Sequence, residues 1–244
     1  MAKSKVLVVG GTGYIGRRIV KASLEQGYPT YVLQRPEIGL DVDKVQILLS
    51  FKKQGARLVE GSFSDIQSLI EVVKQVDVVI CTMSGVHFRS HNILLQLKLV
   101  EAIKAAGNVK RFLPSEFGMD PARMEHALEP GRVTFDEKMI VRRAIEEANI
   151  PHTYVSANCF AGYFVGNLCQ MDRLTPPKDK VNIYGDGNVK GLDYPSQVGV
   201  GHFFHIFYEG CLTNFEIGEG AEEASRLYPE VRYTRMEEFL KLYA

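Results

Sequence analysis

The sequence predicts an α/β fold: a Rossmann-like, doubly wound parallel sheet followed by a smaller C-terminal lobe. Short apolar runs alternate with longer amphipathic segments through residues 1–160, which is the rhythm of βαβ units. The runs lack polar alternation, as is typical of strands that are covered on both faces. A glycine-rich loop follows the first run directly. Together these three observations predict the fold class.

The elements of the first part of the chain follow from composition and spacing. Apolar residues recur at three- and four-residue spacing in the segments between the strands, which predicts helices there. Glycines follow three of these segments, where left-handed C-terminal caps are expected. The predicted strands are 5–9, 30–34, 57–60, 77–82, 111–114 and 152–156. The predicted helices are 13–26, 43–54, 64–74, 90–106 and 133–148.

The rhythm changes after Pro151. We expect a helix over 160–171, a strand over 181–184 that enters a Gly-Asp-Gly-Asn turn, and a terminal helix from Thr234. No element is predicted over 190–201. This part therefore does not continue the βαβ pattern.

Composition and charge exclude several classes of protein. The 244 residues include 29 Lys and Arg and 29 Asp and Glu, so no net field attracts nucleic acid or an anionic membrane. Four cysteines without a CxxC pair argue against a disulfide framework or a structural zinc site, and favour a reducing, cytoplasmic location. Neither a signal-peptide pattern nor an apolar run of membrane-spanning length is present, so we expect no membrane association.

The glycine-rich loop stands between the first predicted strand and the first helix. A dinucleotide pyrophosphate needs exposed backbone N–H groups, no Cβ in the way and a helix N-terminus that points at it. The order of strand, loop and helix therefore predicts dinucleotide binding rather than a plain turn. The loop residues are Gly10, Gly11, Thr12, Gly13, Tyr14, Ile15 and Gly16.

The end of the second strand indicates which dinucleotide binds. A protein that prefers NAD usually has an acidic residue there, which binds the ribose 2′-hydroxyl. This chain has Arg35, whose planar fork suits a 2′-phosphate, and Lys44 could add a second positive charge. We therefore predict NADPH as the cofactor. The alternative is that both residues are solvated surface cations.

The fifth predicted helix carries a lysine without its usual tyrosine. Short-chain dehydrogenases have Tyr-x-x-x-Lys, and here Thr134 occupies the tyrosine position before Lys138. Carbonyl reduction with a tyrosine proton donor is therefore not expected. Partial burial and the neighbouring Arg142 would lower the pKa of Lys138 enough for it to act as a base. The alternative is an exposed helix face of charged residues.

Loops at the carboxyl ends of parallel strands form the ligand crevice of this fold. The fourth, fifth and sixth strands lead into 82–88, 114–119 and 157–160. Aromatic residues there either line the site or belong to the core. His202 and His205 are three residues apart, but nothing supplies a third metal ligand, so we predict no metal site. A histidine here either contacts a polar substrate or packs in the core.

These motifs together resemble the plant pinoresinol-lariciresinol reductases. That group belongs with the isoflavone reductases and phenylcoumaran benzylic ether reductases, an atypical, NmrA-like branch of the short-chain dehydrogenases. The resemblance covers 4–190 and resumes at about 198. Its most specific parts are Ser-Glu-Phe-Gly at 115–118 and the lysine helix without tyrosine. The other matching stretches are 10–16, 31–36, 110–114 and 157–164.

The resemblance implies an NADPH-dependent oxidoreductase that opens the furan rings of lignans, from pinoresinol to lariciresinol to secoisolariciresinol. It implies that Lys138 deprotonates a substrate phenol, so that the benzylic ether opens to a quinone methide, which then accepts hydride from the nicotinamide. It implies cofactor contacts from residues 10–16 and from Arg35, Lys44, Arg142, Cys159 and Phe160. It implies substrate contacts from His202 and Phe164.

The resemblance also implies a division into an NADP-binding domain, 1–157, and a substrate-binding lobe, 158–244. Members of the group carry several dozen more residues before the Gly-His pair at 201–202. A segment between about 190 and 198 is therefore expected to be missing, which leaves the lobe incomplete. A phenylcoumaran or isoflavone substrate and a non-catalytic NADP-sensing regulator are the alternatives. A homodimer is the default expectation for assembly.

Overall fold

The computed structural model describes residues 2–84, 93–158, 193–209, 216–235, 237–238 and 241. Within this part of the chain, five parallel strands form one sheet in the order β3-β2-β1-β4-β5. The order reverses between β1 and β4, as it does in doubly wound dinucleotide-binding folds. The strands are β1 (Val6–Val9), β2 (Thr30–Gln34), β3 (Arg57–Glu60), β4 (Val78–Cys81) and β5 (Arg111–Leu113).

Helices connect the strands and continue beyond them. A π-helical turn, Phe204–Tyr208, follows the sixth helix directly. No helix in the described residues is both long and apolar enough to cross a bilayer. The helices are α1 (Tyr14–Glu25), α2 (Val42–Lys53), α3 (Ile66–Val73), α4 (Gln96–Ala106), α5 (Val133–Glu147), α6 (Tyr194–Phe203) and α7 (Ala224–Leu227).

The two faces of the sheet carry separate apolar clusters, because side chains alternate along each strand. On β1, Val6 and Val8 join the cluster that includes Val20 of α1 and Leu48 of α2. Leu7 and Val9 point the other way and join the larger cluster, to which α3, α4 and α5 contribute. All four residues of β1 are buried. The apolar runs of the sequence are therefore explained by helices on both faces.

The predicted fold class is confirmed, but the sixth strand, 152–156, is not formed as predicted. The Phe112 N–H donates to the Pro151 carbonyl at 2.8 Å and the Thr153 N–H donates to the Phe112 carbonyl at 3.0 Å. Only one bridge, between Phe112 and His152, results. The chain therefore runs beside β5 for a short distance and does not continue as a strand.

Helix α6 was not predicted, because Pro195, Gly199 and Gly201 all disfavour a helix. Asp193 is its N-cap, since the Asp193 side chain accepts a hydrogen bond from the Ser196 N–H at 2.8 Å. A proline is tolerated in the first turn because a backbone N–H there would have no acceptor within the helix. The helix predicted over 160–171 and the strand over 181–184 lie outside the described residues, as does most of the helix predicted from Thr234.

Candidate active site

A cavity of about 610 Å³ opens at the carboxyl ends of the strands, beside the point where the strand order reverses. The glycine-rich loop lines it together with Arg35 and Lys44. Lys138 and His202 line the same cavity. The structure therefore brings the predicted dinucleotide loop, the predicted base and a predicted substrate contact into one place.

The glycine-rich loop forms a backbone cradle. Gly10 has a φ of +80°, and a Cβ there would lie 2.9 Å from the Thr82 carbonyl oxygen. The Thr82 hydroxyl donates to the Val9 carbonyl at 2.8 Å, which holds the end of β1 beside β4. Gly13 is the N-cap residue of α1, and it provides no side chain to cap the backbone N–H groups of the first helical turn. This arrangement fits a pyrophosphate, whose oxygens would accept hydrogen bonds from these N–H groups at the positive end of the helix.

Gly16 lies behind the cradle rather than in its lining. A Cβ at Gly16 would stand 2.2 Å from the Gly10 carbonyl oxygen and 2.7 Å from the Thr82 hydroxyl oxygen. Its part in the site is therefore close packing, because α1 approaches the loop only where no side chain intervenes. The other six loop residues, from Gly10 to Ile15, all line the cavity.

The two predicted phosphate-binding cations differ in their surroundings. Arg35 is exposed directly after β2, and its guanidinium makes no ion pair with any residue that the structure describes. The Lys44 ammonium lies 2.6 Å from a carboxylate oxygen of Asp41, and both side chains are partly exposed. Arg35 is therefore the cation that can meet a 2′-phosphate directly, whereas Lys44 would share its charge with Asp41.

Lys138 is buried on α5, and only 8% of the residue is exposed. Its amine donates a hydrogen bond to the Glu116 carbonyl oxygen at 2.7 Å. Burial lowers the pKa of Lys138 below its usual range, and the charge of Arg142 acts in the same direction, while Glu116 and Asp120 act against it. A lowered pKa makes the Lys138 amine easier to deprotonate, which is the property that a general base requires.

A bend in the loop after β5 supplies that carbonyl. The Glu116 N–H donates to the Pro114 carbonyl at 2.8 Å. The next residue, Phe117, has a φ of +32°, which bulky side chains rarely adopt. This backbone turns the Glu116 carbonyl toward α5 at the edge of the cavity. The Ser-Glu-Phe-Gly stretch of the sequence thus contributes backbone geometry to the site.

The Glu116 carboxylate is held by Arg142. The Arg142 Nε donates to Glu116 Oε1 at 3.2 Å and Nη2 donates to Oε2 at 2.8 Å. Nη1 of the same guanidinium lies 2.9 Å from a carboxylate oxygen of Asp120, and its plane lies over the Tyr154 ring at 4.2 Å. The Glu116 side chain is 3% exposed and that of Arg142 is 11% exposed. The two residues form a buried, bidentate ion pair.

This pair is the part of the site that the sequence did not reveal. Arg142 lies on the Lys138 face of α5, as the four-residue spacing indicates, but it does not line the cavity. Its predicted contact with the cofactor remains a prediction. Glu116 was predicted only as part of the crevice loop 114–119 and of the Ser-Glu-Phe-Gly stretch, without a role for its carboxylate, and Asp120 was not predicted at all.

Thr134 is buried one helical turn before Lys138 and lines the same cavity. It stands where the short-chain dehydrogenase pattern has its tyrosine. Its hydroxyl is on a much shorter side chain and is not an acidic phenol. Lys138 therefore lies in a site whose composition differs from that of carbonyl reductases.

His202 reaches the cavity because α6 packs against the start of α5. Its ring stacks on Phe135, with centroids 4.7 Å apart and planes 11° from parallel. The backbones approach closely as well, since a Cβ on Gly131 would lie 3.0 Å from the Gly201 carbonyl carbon. His202 thus lines the cavity, and its predicted contact with the substrate remains a prediction.

His205 is a fully buried histidine that belongs to the packing of this region. The Leu128 N–H donates to its Nε2 at 2.9 Å, and its Nδ1 lies 2.6 Å from a carboxylate oxygen of Glu209. His126 also contacts that oxygen, at 3.0 Å. The three side chains do not fit a metal ion, because Nε2 is an acceptor here and Nδ1 then carries the ring proton.

The cysteines contribute no described nucleophile to the cavity. Cys81 is fully buried at the end of β4, and burial raises the pKa of its thiol to about 12. Cys159, Phe160 and Phe164, which were predicted to contact the cofactor or the substrate, lie outside the described residues. Their roles remain predictions.

Comparison with known proteins places this geometry in context. The NmrA-like family matches residues 2–203. An isoflavone reductase homolog from Lupinus albus is 63% identical, and a bifunctional pinoresinol-lariciresinol reductase from Linum perenne is 58% identical; each alignment covers 100% of both chains. A solved structure, AtPrR2 with NADP⁺ and (+)pinoresinol, is 52% identical with a TM-score of 0.89, again over 100% of both chains.

The alignment with the lupin protein runs over 311 residues, whereas this chain has 244, so it contains gaps opposite residues of the relative. The predicted place for the absent segment is between about 190 and 198. Helix α6 begins within that interval, at Tyr194.

Proposed function

The chain belongs to the NmrA-like family, and we propose that it is an NADPH-dependent reductase that opens the furan rings of lignans such as pinoresinol. The enzyme class and the cofactor follow from relatives that are named reductases and from a neighbour that was solved with NADP⁺. The observation that carries the proposal is the buried Lys138 amine, which shares one cavity with the glycine cradle and has Thr134 in the place of a tyrosine.

The cofactor would be held at two points that the chain itself supplies. The backbone N–H groups at the start of α1 would bind the pyrophosphate, and Arg35 would bind the 2′-phosphate. When bound, NADPH supplies the hydride. The cradle lies at the carboxyl ends of β1 and β4, and Lys138 lines the same cavity.

Lys138 would act as the general base. A neutral amine keeps two N–H donors, and one of them is used by the Glu116 carbonyl. The lone pair is then free to accept the proton of a substrate phenol. The electrons released through the ring break the bond between the benzylic carbon and the ether oxygen, which opens the furan ring and leaves a quinone methide. The released oxygen would take the proton back from the Lys138 ammonium and become a hydroxyl. Hydride from NADPH would then add to the benzylic carbon, and the resulting phenolate would take a proton from water. No proton donor at residue 134 is required, because the first proton leaves a phenol.

Two alternatives use parts of the same site. A phenylcoumaran or isoflavone substrate would use the same base and the same cofactor, and a relative with 63% identity carries an isoflavone reductase name. A non-catalytic NADP sensor would use the cradle alone. Burial of a base beside that cradle supports catalysis over sensing. A homodimer, a cytoplasmic location and the two-domain division at 157 remain predictions.

The test is turnover of racemic pinoresinol with NADPH, followed by nicotinamide absorbance and by chiral analysis of the products. We expect lariciresinol, and K138A should lower turnover by about 10²- to 10⁴-fold while NADPH affinity stays within a factor of about two. Lys98, an exposed lysine on α4 that pairs with Glu101, supplies the control variant K98A. Normal turnover by K138A would disprove the base assignment. NADPH binding without consumption, over a panel of lignans, phenylcoumarans and isoflavones, would favour the sensor.

A further inference from the structure

Four charged groups lie together at the edge of the cavity, which Lys138 and Glu116 line. Lys138 and Arg142 come from α5, one helical turn apart, and Glu116 and Asp120 come from the loop after β5. Among the described residues, Lys138 and Arg142 are the buried lysine and arginine of the chain, and Glu116 is the buried carboxylate. The buried charges of this cluster must therefore be neutralised by one another rather than by solvent.

The pairing within this cluster is selective. Arg142 contacts both oxygens of the Glu116 carboxylate, at 3.2 and 2.8 Å, in the fork geometry that only a guanidinium provides. The Lys138 amine contacts the same residue through its backbone carbonyl, at 2.7 Å. One residue thus offers its neutral oxygen to the base and its charged oxygens to Arg142.

The surroundings of Lys138 contain the other charged and titratable groups that bear on it. Asp120 lies on the far side of the guanidinium, at 2.9 Å from Nη1. Tyr154 stacks on the guanidinium, and its hydroxyl donates to Glu146 at 3.1 Å. His202 lines the same cavity, from α6. In the hydrogen-bonding scheme Glu116 links Lys138 to Arg142, and Arg142 in turn links the Glu116 and Asp120 carboxylates.

Removal of the guanidinium would leave a buried carboxylate without a cation, which is strongly unfavourable. Lys138 is the remaining buried cation in the described part of the chain, and it is already bonded to Glu116 through the backbone. A protonated Lys138 would then become the counter-ion of Glu116. An ammonium held in that way has no lone pair for a substrate proton.

We propose that Arg142 is a positioning residue that occupies the Glu116 carboxylate and so leaves the Lys138 amine unprotonated and free to take a proton from the substrate. This inference rests on the proposed role of Lys138 as the base. It assigns Arg142 to the charge balance of the base through its pairing with the Glu116 carboxylate, a contact that the sequence did not indicate. It also explains why an arginine stands one turn after the lysine, since a lysine there could not engage both carboxylate oxygens.

The test is the pH dependence of kcat/KM with NADPH and pinoresinol. The activity of an enzyme that depends on a base rises with pH through the pKa of that base, and this rise is the acid limb of the pH profile. A variant that favours the protonated form of Lys138 therefore moves the acid limb to higher pH. R142M removes a positive neighbour and leaves Glu116 unpaired, and should move the limb up by about one pH unit or more. E116Q removes a negative neighbour and keeps the backbone carbonyl, and should move the limb down.

The double variant E116Q/R142M removes both charges and should return the limb toward that of the wild type. R143M is the matched control, because Arg143 is the next residue on α5 and is exposed. We expect its profile to coincide with that of the wild type. NADP⁺ affinity and the unfolding temperature are measured for every variant, so that loss of folding is recognised. If R142M does not fold, the opposite shift expected of E116Q still tests the inference.

An unmoved acid limb in both R142M and E116Q, with folding retained, would overturn the inference. Loss of NADP⁺ affinity in R142M with an unmoved limb would overturn it as well, and would assign Arg142 to cofactor binding. Normal turnover by K138A would instead overturn the proposed function, which makes the two failures distinguishable.

Discussion

Gly16 offers a direct test of how closely α1 approaches the glycine cradle. It lies within a helix, where alanine is intrinsically favoured over glycine by about 1 kcal/mol, so helix propensity alone predicts that G16A stabilises the protein. The packing predicts the opposite. The added methyl group would lie 2.2 Å from the Gly10 carbonyl oxygen, 2.7 Å from the Thr82 hydroxyl oxygen and 2.8 Å from the Gly10 carbonyl carbon.

Two of these three contacts are with backbone, which cannot rotate away as a flexible side chain can. Forcing a methyl group into such a site costs about 1–3 kcal/mol, and an overlap of this depth belongs at the upper end of that range. The gain in propensity offsets about a third of this cost. We therefore expect a net loss of about 2 kcal/mol in the free energy of unfolding. The loop should move to relieve the overlap, which should weaken NADPH binding by about tenfold or more.

The assay combines denaturant unfolding with a fluorescence titration of NADPH. G218A is the matched control, because a Cβ at Gly218 would meet nothing within 4 Å. It should leave both measurements unchanged. If G16A unfolds at the same denaturant concentration as the wild type and binds NADPH equally well, the close approach of α1 to the cradle is not what Gly16 provides, and the argument is refuted.

Three further predictions follow from individual contacts. R35A should weaken NADPH binding by about tenfold and leave NADH binding nearly unchanged, because only NADPH carries the 2′-phosphate; titrations with both cofactors would check this, and equal losses would contradict it. The Cys81 thiol should resist alkylation at pH 8 until the protein unfolds, as peptide mapping would show, because burial raises its pKa to about 12. H205N should lower the free energy of unfolding by about 1–3 kcal/mol and raise the KM for substrate, because the Leu128 N–H loses its acceptor. H205Q can keep an acceptor there, so it should recover part of the stability and part of the KM. Equal unfolding curves for the two variants would count against this account.

The sheet and the cradle were predictable from the sequence because their signals are local. The apolar runs, the glycine loop between the first strand and the first helix, and the helix caps each depend on neighbours in the chain. Two of the differences between prediction and structure have a tertiary cause. The strand predicted over 152–156 has the right composition but stays beside β5 for only a short distance. Helix α6 contains Pro195 and two glycines, and one of them, Gly201, is needed where its backbone meets Gly131.

The candidate site was predictable where its residues belong to local motifs, and not where it depends on contacts between distant parts of the chain. Lys138, Arg35 and the loop residues were identified because each belongs to a motif with fixed spacing. The pairing of Arg142 with Glu116 was not, because a four-residue spacing shows which helix face an arginine shares but not what that face meets. The two residues lie 26 positions apart, and their contact depends on the bend at Phe117. The partner of a buried charge is therefore the kind of information that only the assembled fold provides.

The bend at Phe117 has a further consequence for how Lys138, the proposed base, is controlled. Because the Lys138 amine binds the backbone carbonyl of residue 116, any side chain at that position keeps this contact. The charge near the base, in contrast, depends on the side chain of the same residue and on Arg142. Geometry and charge are thus carried by different atoms of one residue, so a substitution at 116 changes the electrostatics of the base while its hydrogen bond is retained. A lysine that acts without a tyrosine partner needs both conditions at once: a fixed amine and a neutral one.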